Sequence, residues 1–105
     1  MLDQVSVPEP AEIPASEVIT RAGVMLMSAS AQKLGLAPEA EPRVDLDEAR
    51  LLITALAGLV AASRDSLGAA AQPLLDGLKT LQDGFRETSS HPDAPGAGPG
   101  EAYVH

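Results

Sequence analysis

A chain of 105 residues with a formal net charge of −8 is one domain at most. It shows no basic stripe, which disfavours direct binding to nucleic acid, because that binding is driven by Lys and Arg displacing counterions from phosphates. With no cysteine, disulfides and thiol chemistry are excluded, and a reducing compartment is compatible with the composition.

Prolines crowd into the first fourteen residues, the link from Pro38 to Pro42 and the stretch after Thr88, and glycines join them in the last. About seventy residues remain to fold, and a core that small supplies only about 3 to 5 kcal/mol by itself. Phe85 is the one large aromatic within it. Oligomerisation is the remaining route to a larger core.

Met1 to Pro14 alternates proline, valine and acid without period, and reads as a disordered acidic tail. It lacks the basic start and apolar run of a signal peptide, so a cytoplasmic location is expected. Val5, Val7 and Ile13 offer a short extended contact to a partner; a solvated tail is the preferred reading. Pro14, Ser16 and Glu17 then carry helix-entry chemistry. The first helix is expected over about residues 16–34, ended by Lys33 at its negative pole and Gly35 as a left-handed stop. Its apolar members are Val18, Ile19, Ala22, Met25, Leu26 and Ala29, and Gly23, Ser28, Ser30 and Ala31 keep the rest of its surface small.

The link LGLAPEAEPRV is long enough for a second helix to fold back on the first, with Leu36 and Val44 as staples on the helix ends. Glu39, Glu41, Asp45, Asp47 and Glu48 form an acidic cluster, but it lacks the alternating ligands and central glycine of a calcium loop. No metal is therefore expected.

Asp45 opens the strongest signal in the chain, DLDEARLLITALAGLVAAS. Asp45 can accept from a first-turn amide while Glu48 reaches back to the amide of Asp45, an acidic capping box. Leu52, Ile53, Leu56, Leu59 and Val60 follow at helical spacing. Leu51, Ala55, Gly58 and Ala62 make the other flank apolar too, so the helix, expected over about residues 46–63, needs cover on more than one side. Its small residues Ala55, Ala57, Gly58, Ala61 and Ala62 invite a second helix. The charge-free run is about twelve residues, short of the roughly 20 of a membrane span. A protein core is expected.

The third helix, about residues 70–86, carries Ala71, Leu74, Leu78, Leu81 and Phe85 as a seam, with Asp76, Lys79, Gln82, Asp83 and Arg86 facing away. Pro73 requires a start or kink nearby, and Gly77 and Gly84 weaken the helix unless something comes close. Residues 88–105 read as a disordered Pro/Gly-rich tail. Both histidines, His91 and His105, lie in it without the fixed geometry a general base needs. Tyr103-Val104-His105 can be read as a peptide ligand, although a solvated end is preferred.

The small-residue first helix ending in QKLGL, the proline-containing link, VDLDEARLLITALAGL and the third-helix segment LLDGLKTLQDGFRE together resemble a small bacterial family, domain of unknown function 1844. The similarity covers about sixty residues, and GAAAQP at Gly68 to Pro73 departs from the acidic helical stretch expected there. The resemblance implies an actinobacterial member, a helical fold, a gene setting near translation genes and no catalytic residues to carry over.

The fold expected is therefore all-α: three helices in residues 15–87, the first two an antiparallel hairpin, between disordered tails. The function expected is that of a non-enzymatic, self-associating interaction or assembly module. Its candidate interface is Ile19, Ala22, Gly23, Leu26, Leu52, Ile53, Leu56, Leu59 and Val60. The alternative is an adaptor or regulator whose apolar face another protein covers, with a link to translation; a metal-dependent enzyme is third. No cofactor, small-molecule substrate or membrane is expected, the last because the apolar helices lack a basic flank.

Overall fold

The computed structural model describes residues 12–37 and 43–104. Their architecture is all-α: α1 (Ala15–Lys33), α2 (Leu46–Leu67), a 3-10 turn at Gly68–Ala70 and α3 (Ala71–Thr88). Residues 1–11 of the expected N-terminal tail, with Val5 and Val7, and Glu39 and Glu41 of the link lie outside the described residues.

The Pro14 carbonyl, at the head of α1, accepts from the amides of Glu17 and Val18, while Glu17 pairs with Arg21 at 3.0 Å. Among the described residues no side chain caps this end. The far end closes as a Schellman motif: Gly35, at φ +72°, donates to Gln32 O, and Leu36 N donates to Ala31 O at 2.9 Å. Only a residue without Cβ takes that conformation cheaply.

The expected capping box forms by half. Asp45 Oδ1 accepts from Glu48 N at 3.1 Å. The amide of Asp45 does not receive the Glu48 side chain, however; it donates to Lys33 O at 2.8 Å. An orphan carbonyl from the end of α1 and an orphan amide from the start of α2 thus satisfy each other. That bond pins the two helices together as a hairpin.

The second helix runs one turn beyond the expected Ser63, because Arg64, Asp65 and Ser66 are all compatible with helix and the first true breaker is Gly68, at φ 57° and ψ −128°. Pro73 then falls in the first turn of α3, where its missing amide leaves no bond unmade. Through the 3-10 turn, Leu46–Thr88 is one bent helical segment, and by length and composition it is apolar enough to cross a membrane. In the qualifying window, of mean hydropathy 1.3, 28% is buried within the protein; core helices of soluble proteins pass the same test.

The core forms where Ala49, Ile53, Leu56 and Val60 of α2 meet Leu74, Leu78, Leu81 and Phe85 of α3, all buried. The seam read in α3 is therefore the inward face. Arg50 lies over the Phe85 ring at 4.8 Å, which sets the start of α2 beside the end of α3.

The third wall is α1, and it approaches α3 through glycines. A Cβ on Gly23 would lie 2.9 Å from Leu74, one on Gly77 would strike Met27, and one on Gly84 would lie 3.0 Å from Leu36. The contacts ascend together along both helices, so α1 and α3 run parallel. Gly77 and Gly84, which weaken an isolated helix, here make room for side chains of α1 and of the segment after it.

Candidate functional site

The stretch after Thr88 departs most from the sequence expectation. Instead of leaving the domain as a solvated tail, residues 89–104 return across α2 and α3 as a strap, with Pro99 and Gly100 buried and Val104 packed against the core.

Two α3 residues expected to face away hold it. Gln82 is buried, and its Nε2 donates to Pro99 O at 3.1 Å and Val104 O at 3.0 Å. Arg86 donates through one nitrogen to Asp93 O at 3.1 Å and through the other to Glu101 Oε2 at 2.9 Å. From α2, Arg50 reaches Asp93 at 2.9 Å. Gly100, at φ +73°, lies so close to α2 that a Cβ would stand 2.5 Å from Ala57 Cβ and 3.2 Å from Ile53 O.

Glu101 also organises the strap internally, its Oε1 accepting from Gly96 N at 2.9 Å and Gly98 N at 3.0 Å. Burial by itself raises the carboxyl pKa. The opposing contributions, the Gly98 amide, the hydrogen bond and charge of Arg86 and the Gly96 amide, prevail, and the group is held below its ordinary 4.5. Asp93 and Glu101, which the sequence assigns to a disordered Pro/Gly-rich tail, are thus ion-pair partners of the helices.

A cleft of about 470 Å³ remains between the strap and α3, with Lys79, Asp83, Arg86 and Glu101 on its walls. Much of its charge is already matched, Lys79 with Asp83 at 3.5 Å and Arg86 with Glu101. Among the described residues no group of three His, Cys, Asp or Glu side chains could hold a metal ion. Asp45 is occupied as the α2 cap. His91 is exposed and Tyr103 mostly so; His105 lies outside the described residues.

The candidate interface read from sequence divides. Gly23, Ile53, Leu56 and Val60 are buried inside this chain. Ile19, Leu26 and Leu59 are partly buried against the same core, and Ala22 and Leu52 are half-buried at its margin.

The apolar surface that stays open is a different stripe. Leu51, Ala55, Gly58 and Ala62, spaced four, three and four, share the α2 face opposite the core. Leu51 is 64% exposed, Ala55 and Ala62 are exposed, and a Cβ on Gly58 would meet nothing within 4 Å. On α1, Val18 and Met25, seven apart, are exposed to 40% and 73%. The signal for this stripe was present: once positions 49, 53, 56 and 60 are inward, 51, 55, 58 and 62 must be outward.

A three-element helical domain with two charge-poor helix faces defines a class of small α-helical proteins, and the sequence of residues 18–87 matches one family within it, described as a domain of unknown function (DUF1844). The chain belongs to that family. The match takes in all but the first residues of α1 and all of α3 but its last, Thr88, and stops before the strap. No curated protein and no solved structure matches the chain.

Proposed function

We propose that the protein is a non-enzymatic helical module that self-associates through the outer face of the α1–α2 hairpin. The observation that carries this reading is the open stripe of α2. Its central positions are Leu51, Ala55, Gly58 and Ala62, none of them charged, and among the described residues no atom stands within 4 Å of a Cβ placed on Gly58. An apolar stripe with a glycine at its centre suits close approach by a second helix, and exposed apolar patches on small proteins mark interaction surfaces. Val18, Ala22 and Met25 of α1, with Leu52 and Leu59 of α2, extend the proposed contact. Met25, flexible and polarizable, adapts readily to an opposing surface. A bacterial cytoplasm is the setting this reading takes, supported by the family resemblance and the cysteine-free sequence.

Thermal unfolding over a hundredfold range of protein concentration tests it. Because association stabilises only the folded form, the melting temperature rises with concentration if copies associate. A concentration-independent melt rejects self-association and transfers the face to a different protein, the adaptor reading.

A further inference from the structure

The strap is held as a recognised peptide is held. Its backbone is gripped by side chains on two packed helices: the Gln82 side-chain amide donates to two strap carbonyls five chain positions apart, those of Pro99 and Val104, and Arg86 takes a third carbonyl and a carboxylate. Glycine is demanded at one place, against Ala57 and Ile53 O. A carboxylate is demanded at another, opposite Arg50. The gripping residues all fall within the family match at 18–87, and the strap lies beyond it. Groove and occupant are thus separable parts of the chain.

We infer that the α2–α3 groove is a peptide-binding site for an acidic, glycine-containing segment, filled at rest by the chain's own residues 93–104 and able to take the same segment from a second copy. The occupant is the second copy's strap because that sequence meets every requirement just named. The contacts are the same in either arrangement, so exchange changes only the connection at Ser89 to Pro92, where Ser90, His91 and Pro92 are exposed. Exchange of an identical element is a low-cost route between protomers. Tethering gives the chain's own strap an effective concentration in the millimolar range, so a strap supplied in trans competes only once the resident one is released. This site is separate from the outer α1–α2 face and does not rest on self-association there.

The test uses the full chain carrying Gly100→Val, whose Cβ meets Ala57 and whose backbone at φ +73° disfavours a branched residue. The probe is a fluorescent synthetic peptide of residues 89–105, followed by anisotropy. Saturable binding to Gly100→Val is expected, with binding to the wild-type chain at least about tenfold weaker because its groove is filled. Adding Gln82→Ala to the variant is expected to remove binding. A helical Gly100→Val chain that ignores the peptide, or one that binds it equally with and without Gln82, overturns the inference. Should Gly100→Val not fold, Asp93→Lys with Glu101→Lys releases the strap by repulsion from Arg50 and Arg86 while leaving the groove intact, and the same two outcomes decide. Anisotropy at low protein concentration reads the groove whatever the oligomeric state.

Discussion

Two flanks of α2 are lined by small residues, and the protein treats them oppositely. On one, Ala57 is fully buried beneath Gly100 of the strap. On the other, Ala55 is exposed, and the neighbouring Gly58 faces open space. The same residue type two positions apart is a sealed contact in one case and an open surface in the other. Small residues therefore signal that something can come close; what comes is decided elsewhere in the chain. For Ala57 it is a turn of Pro and Gly forty residues later, anchored by Gln82 and Arg86.

The largest expected contrast is between enlarging one flank and enlarging the other. Ala57→Leu has no room beneath Gly100 and should cost about 1 to 3 kcal/mol, the usual range for overpacking, in urea unfolding. Ala55→Leu should change the stability of the single chain by no more than about 0.5 kcal/mol. Equal effects would erase the distinction between the flanks.

A smaller effect of opposite sign is expected at Gly58. With no neighbour among the described residues to obstruct a methyl group, Gly58→Ala should stabilise the folded chain by about 0.4 to 1 kcal/mol, by reducing the freedom of the unfolded state and improving helix propensity. If a second helix packs there, the same change should weaken association, so melts at low and high concentration should respond in opposite directions.

The strap flank should also respond to acid. The Glu101 pKa is lowered in the folded chain, so its contribution is present above about 4.5 and is lost as pH falls through the lowered value. Hydrogen exchange of the Gly96 and Gly98 amides should accelerate over that interval relative to the α3 amides, after correction for intrinsic rates. The strap is also held through Asp93, bonded to Arg50, so Glu101→Gln is the comparison that isolates the Glu101 contribution. That variant should already show faster exchange at neutral pH and little further loss on acidification.

These flanks also show what the sequence discloses. The helices were legible because caps, a helical period and the Gly35 stop are local signals. The α3 seam proved to be the core, since Leu74, Leu78, Leu81 and Phe85 needed no knowledge of the partner helix to be read as one face. The end of α2 lies a turn beyond the sequence expectation, because the charged Arg64 and Asp65 suggest a break that only Gly68 enforces.

The strap was not legible. Its attachment uses main-chain carbonyls, one buried amide side chain and one glycine contact, none of which produces a periodic pattern. Gln82 and Arg86 look like solvent-facing residues until the distant segment that they bind is in place. The candidate interface shared this difficulty. Helical spacing alone offers Ile53, Leu56 and Val60 to another copy, whereas α3 takes them first, and the open face passes to Leu51, Ala55, Gly58 and Ala62.

The central claim is that this open face of α2 is covered by a second copy. Light scattering on the full chain across a range of concentrations, beside Ala55→Glu, tests it most directly. The account predicts a wild-type mass of two or more chains and, for Ala55→Glu, a monomer of unchanged helicity, because the charge falls on a surface exposed in the single chain and buried only between copies. A wild-type chain that stays monomeric at every concentration, or an Ala55→Glu chain that associates as the wild type does, would contradict it.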